Sequence, residues 1–127
     1  MSNLEKAENF QNKVKKLVNT NYNTLEIAKD FSNGNMIRKG SNSIISSVFI
    51  RPNTYNTHME SDEIRKQVEE IASIATGRKA TSLTDMRKAR EESQYDYSPY
   101  NDNLKLLKHS AGQEYPVYEI EYKYANF

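Results

Sequence analysis

Two histidines, His58 and His109, are the natural general bases of the chain. A Ser-His-acid site would need one of them buried beside a hydroxyl and held by a carboxylate. Both stand in polar stretches, so both are expected to be solvated surface side chains. The run His58-Met59-Glu60-Ser61-Asp62-Glu63 has the imidazole and carboxylates that bind zinc or manganese. Acidic residues are also what the positive end of a helix dipole favours, and metal ligands generally converge from several elements. The run is therefore assigned to a helix start, and no metal site is expected. With no cysteine in the sequence, disulfides, thiolate metal sites and cysteine nucleophiles are excluded.

Near the C-terminus Glu119, Glu121 and Lys123 alternate, and Glu121-Tyr122-Lys123 has the carboxylate-x-lysine spacing of a restriction-type nuclease site. Such a site needs Mg²⁺ and a second acid from an adjacent strand to activate water, a role open here to Asp96 or Asp102. Alternating charges on a solvated strand face account for the same letters, and that is the expectation. The four glycines, Gly34, Gly40, Gly77 and Gly112, form neither a Walker loop nor a dinucleotide fingerprint, so no nucleotide cofactor is expected. The stretch Thr76-Gly77-Arg78-Lys79-Ala80-Thr81-Ser82 has amides, hydroxyls and cations suited to a phosphate at a helix start, but it also reads as a plain interhelical turn.

Two surfaces carry more weight than any catalytic motif. Between residues 76 and 90, Arg78, Lys79, Arg87, Lys88 and Arg90 face Asp85 alone, the largest charge asymmetry in a chain whose net charge is +1. Such a patch suits nucleic-acid phosphates or an acidic partner. The second surface is aromatic: most of the nine tyrosines fall between Tyr95 and Tyr124. Tyr95, Tyr97 and Tyr100 alternate with Asp96, Ser98, Pro99 and Asn101 in a loop too polar to be core. Tyrosine offers large contact area at low entropy cost, so these three are the expected partner-binding residues. A helix-turn-helix built from Leu25-Glu26-Ile27-Ala28 and a reader at 43–50 is disfavoured, because the intervening 32–41 far exceeds a turn of about three to four residues.

These residues must be positioned by a modest set of elements. Leu4, Ala7, Phe10, Val14 and Leu17 recur at helical spacing over 3–18, with Ser2 and Glu5 as a capping box. Asn23 or Thr24 is placed to cap a second helix through Leu25, Ala28 and Phe31, ending at Ser32-Asn33-Gly34-Asn35. Ile44 to Ile50 is β-branched and aromatic and predicts a strand, broken at Arg51-Pro52-Asn53. A helix opens at Ser61 or Asp62, carries Ile64, Val68, Ile71 and Ala75 on one stripe, and stops at Gly77. Ser82 to about Glu92 predicts a further helix, and Leu104, Leu106 and Leu107 a short helical turn. From Val117 to Tyr124 the period is two, with Tyr118, Ile120, Tyr122 and Tyr124 facing the core and Glu119, Glu121 and Lys123 opposite. This last strand is expected to return and pair with 44–50.

The fold class expected is therefore α+β: a single domain over 1–127 with about four helices and a small antiparallel sheet formed by the middle and C-terminal strands. Its core is lean. With tyrosine set aside and glycine counted in, apolar residues make up about a third of the chain, against roughly 45–50% in ordinary globular domains. Small domains that bury little commonly gain stability from a partner or a second copy, so a protein partner or homo-oligomer is expected.

No apolar run approaches the roughly 18 residues of a membrane span, and no leader pattern opens the chain; no membrane contact is expected, and the location expected is cytoplasmic, or the virion. The abundance of Asn, Lys, Ile and Tyr suits an AT-rich coding sequence of the phage or low-GC bacterial kind. The leading expectation is a non-enzymatic protein acting by stoichiometric contact with a macromolecule, as an accessory, inhibitory or virion component of a phage-like element. The alternative is a nucleic-acid-binding regulator using the 76–90 patch, and a metal-dependent nuclease is a distant third.

Overall fold

The computed structural model describes residues 2–37, 43–53, 61–77, 84–85, 104–109 and 116–124. In chain order these form α1 (Asn3–Asn21), β1 (Leu25–Ile27), β2 (Gly34–Ile37), β3 (Ile44–Pro52), α2 (Ser61–Thr76), β4 (Thr84–Asp85), β5 (Leu104–His109) and β6 (Val117–Tyr124). The class is α+β as expected, but the expectation of about four helices is wrong. Two helices stand among the described residues, beside a sheet of six strands.

Both helices follow from their sequence periods. The Ser2 hydroxyl caps α1, accepting from the Glu5 amide at 3.1 Å and donating to the Glu5 carboxyl at 3.2 Å. Its Ala7, Phe10, Val14 and Val18 are buried, and Leu17 packs at the margin of the core. In α2 the stripe is Ile64, Val68, Ile71 and Ala75, and the helix stops at Gly77, whose φ of 68° is the left-handed conformation glycine adopts at no steric cost. Among the described residues, neither helix is long and apolar enough to cross a membrane.

The sheet is built on β3 and β6, which pair antiparallel from Ile44 opposite Tyr124 to Ile50 opposite Tyr118. This is the pairing the two sequence patterns required. On its other edge β3 holds β1 opposite residues 50–52 and β2 opposite residues 44–47, both antiparallel. Beyond β6 lies antiparallel β5, and the two residues of β4 run parallel to it. The strand at 44–50 extends to Pro52 instead of ending before it. The extended backbone that proline imposes on Arg51 is strand-like, and Arg51 and Pro52 lie opposite Glu26 and Leu25.

Two helical expectations fail for physical reasons, and a third falls mostly outside the described residues. Leu25, Ala28 and Phe31 have helical spacing, yet Leu25–Ile27 is a strand. Its place is fixed by the Arg51–Glu26 ion pair at 2.7 Å and by Ala28 donating its amide to the Phe49 carbonyl at 2.8 Å. A segment that short gains little as a lone helix, so tertiary pairing decides. Leu104, Leu106 and Leu107 belong to a strand buried on both faces, with Leu104 and Leu106 in the main core and Leu107 on the opposite side, which hides the period of two. Of the helix expected over 82–92, only Thr84 and Asp85 are described, and they form β4.

Both helices cover one face of the sheet. There Phe10, Val14, Val18, Val48, Ile50, Val68, Ile71, Tyr118 and Ile120 make the main core. Tyr118 and Tyr122 are buried as expected, and Tyr124 is half-buried against the same cluster. Burial raises the Tyr118 phenol above its ordinary value, and burial together with Tyr122 pushes Tyr124 up to about 12. The opposite face carries a smaller cluster of Ala28, Phe49 and Val117, with Phe31 packed against it.

Gln11 ties the layers together. Buried on α1, its side-chain amide nitrogen lies 2.8 Å from Ser46 Oγ, 2.8 Å from the Ser47 carbonyl and 3.2 Å from the Gly34 carbonyl, three acceptors that share its two N–H hydrogens. One side chain thus fixes α1, β3 and the start of β2. The two carbonyl partners identify the donating atom as nitrogen, which leaves Oε1 buried and without a partner among the described residues.

Candidate functional site

The expected partner-binding residues Tyr95, Tyr97 and Tyr100 lie outside the described residues, as do the cations Arg78, Lys79, Arg87, Lys88 and Arg90. His58, Asp96 and Asp102 lie outside them too. Two other features carry functional content: a polar network on the sheet face away from the helices, and the outer edge of β2.

The network centres on Glu119, which is not the solvated charge expected of an alternating strand but is only 6% exposed. Ser47 on β3 donates its hydroxyl to Glu119 Oε2 at 2.9 Å, and His109 Nε2 on β5 lies 2.8 Å from Oε1. These are diagonal cross-strand neighbours, since Glu119 itself stands opposite Phe49 and Leu107. His109 is likewise not the solvated histidine expected from its neighbours in sequence. Its ring packs against Phe49 at 5.6 Å and Phe31 at 6.5 Å between centroids, and its side chain is 21% exposed.

Glu121, two residues along the same face, has its carboxyl raised above the ordinary glutamate value. Burial is the main cause, followed by the negative charge of Glu119. Lys105 pulls the other way, a hydrogen bond to Glu119 raises it again, and Lys123 lowers it. A carboxyl so raised holds more protons folded than unfolded, so it costs stability as pH rises from the ordinary glutamate range through the folded value. Glu121→Gln is accordingly expected to raise the melting temperature at about pH 7 and to change little near about pH 4, where both states are protonated. Calorimetry across that range is the check, and a variant less stable than the parent at neutral pH would contradict the raised value.

Serine, glutamate and histidine are all present, but their order is wrong for hydrolysis. In a nucleophilic triad the imidazole lies between hydroxyl and carboxylate, so that it can take the hydroxyl proton. Here the carboxylate lies between the other two. β3 and β5, the strands beside β6, contain no acid to face Glu121, and Asp96 and Asp102, the two acids open to that role, lie outside the described residues. Among the described residues no group of three or more His, Cys, Asp or Glu is placed to hold a metal. The network satisfies a buried carboxyl and pins three strands in register.

The edge is different in character. β2 pairs with β3 alone, and its far side carries no strand among the described residues. Met36 is 64% exposed and Ile37 is 63% exposed, the two most exposed of the large hydrophobic side chains described, and the strand Gly34-Asn35-Met36-Ile37 contains no charge. Comparison with family models, with curated proteins and with solved structures gives no match to this chain. The site therefore rests on its own chemistry.

Among the described residues, that chemistry is a peptide edge with no strand on its outer side, beside two apolar side chains. Natural sheets protect such edges with charge, proline or a covering segment, because a bare one accepts a further strand. Sequence reading missed β2 altogether, since four residues containing Gly and Asn show neither strand propensity nor alternation. Two adjacent apolar residues after a turn signal were the only clue.

Proposed function

We propose that this protein acts without catalysis, by stoichiometric contact with another protein, and that β2 is where a strand of the partner adds to the sheet. The observation that carries this reading is the exposure of Met36 and Ile37 on an uncharged edge strand. Main-chain hydrogen bonds would supply affinity, and the two side chains, on opposite faces of the added sheet, would supply selectivity. The lean composition argues the same way, since a small domain short of core gains stability from what it binds. An accessory, inhibitory or virion component of a phage-like element fits this role, and a second copy of the chain is one form the partner can take.

The test is capture from the native host with two baits, the parent chain and Met36→Lys/Ile37→Lys. Lysine on an edge opposes strand addition while leaving the fold intact, and at such exposed positions the change in stability is expected to stay within about 0.5 kcal/mol. The parent should retain one protein in near-equimolar amount, or show a mass above 14.7 kDa by light scattering. The double variant should lose the partner or return to the monomer mass. Equal retention by both baits, or recovery of nucleic acid alone, would overturn the reading.

A further inference from the structure

On the same edge of β3 as β2 but lined by no β2 residue, a solvent-open groove of about 670 Å³ lies between α1, β1 and the turn that follows it. Its polar lining is strongly unbalanced: Lys15, Lys29 and Arg51 face a single carboxylate, Glu26. Arg51 is engaged, with Nε on Glu26 at 2.7 Å and Nη1 3.5 Å from Asp30, an exposed side chain outside the lining. Lys15 is half-buried and Lys29 exposed, and neither forms an ion pair among the described residues. The lining thus has a surplus of two positive charges, located on the two ammoniums.

The apolar part of the lining is Ile27 and Phe31. Phe31 is held in place by stacking on Phe49, with centroids 5.2 Å apart and planes 24° from parallel. A ring already fixed loses little freedom when a ligand packs on it. The volume falls within the roughly 300–1,000 Å³ of sites for small ligands.

We propose that this groove binds a small aromatic phosphomonoester, its phosphate held by Lys15 and Lys29 and its planar body against Phe31 and Ile27. Charge selects the phosphate. A phosphomonoester carries about −1.5 to −2 at neutral pH and matches the surplus, whereas a single carboxylate leaves one ammonium uncompensated. Ammonium groups also recognise phosphate as compact point charges, without the planar fork that a carboxylate favours and that Arg51 already commits to Glu26. The site is separate from β2 and does not depend on the partner reading.

The probe is adenosine 5′-monophosphate, titrated by calorimetry or by amide chemical shifts against adenosine and inorganic phosphate. The monophosphate should bind at least about tenfold more tightly than either fragment, because both halves of the groove contribute. It should weaken by about tenfold or more in Lys15→Ala/Lys29→Ala and weaken with added salt, while adenosine binds parent and variant alike. Absence of saturable binding, equal affinity for adenosine and its monophosphate, or an unchanged affinity in the double variant would each overturn the proposal. So would a single-stranded oligonucleotide binding far more tightly than the mononucleotide, since the groove would then be part of a nucleic-acid surface.

Discussion

Replacing Tyr118 with alanine is expected to cost about 3–5 kcal/mol, the range for truncating a large aromatic at a fully buried site. Tyr118 is 1% exposed and heads the fully buried side chains in size. It stands on β6 opposite Ile50 and reaches the same cluster as Phe10, Val68 and Ile71. Domains of this size have only about 5–15 kcal/mol in total, and this one has a lean core, so the loss should be a large share of its stability. Urea unfolding of Tyr118→Ala against the parent measures it. A loss below about 1 kcal/mol would mean that the tyrosine face of β6 is not the wall of the core.

The second large effect is expected at Gln11. Gln11→Ala removes bonds to Ser46, Ser47 and Gly34 and leaves a buried hydroxyl and two carbonyls without their donor. Unsatisfied buried groups cost about 1–3 kcal/mol each, partly offset here by removing the orphaned Gln11 Oε1, so a net loss of about 2–3 kcal/mol is expected. The variant has a local signature as well. Gly34 begins β2, so amide exchange in β2 should accelerate more than in β6, where the ladder to β3 and β5 is unaffected. Uniform acceleration across the sheet would show that Gln11 supports the core in general and not the edge in particular.

What the sequence made legible were the segments whose local pattern and tertiary place agree. α1 has a capping serine and a single apolar stripe, α2 has four stripe residues and a terminal glycine, and β6 alternates tyrosine with charge. Each pattern was sufficient to place the element. Leu25–Ile27 misled because its spacing to Ala28 and Phe31 is helical while its hydrogen bonds come from Phe49 and its ion pair from Arg51, more than 20 residues away. Leu104 to Leu107 misled because a strand buried on both faces shows no alternation.

The site was less legible than the fold. Ser47 and Glu119 are 72 residues apart, and nothing in either neighbourhood marks the bond between them. His109 looked solvated because its sequence neighbours are polar, but β5 sets it beside Phe49, which only the sheet register reveals. The five cations of the basic 76–90 patch and the tyrosine loop remain sequence expectations, lying outside the described residues. Pairing of edges is a property of the assembled sheet, so an edge at Gly34–Ile37 with no outer strand among the described residues leaves almost no trace in four letters.

The central claim, that β2 accepts a partner strand, is tested most directly by hydrogen exchange at residues 34–37 in the free chain and in its complex with the captured partner or second copy. An added strand should slow the outward-facing amides of β2 by about tenfold or more, because amides open to solvent become hydrogen-bonded. Unchanged exchange in β2, with protection appearing on another surface, would contradict the account.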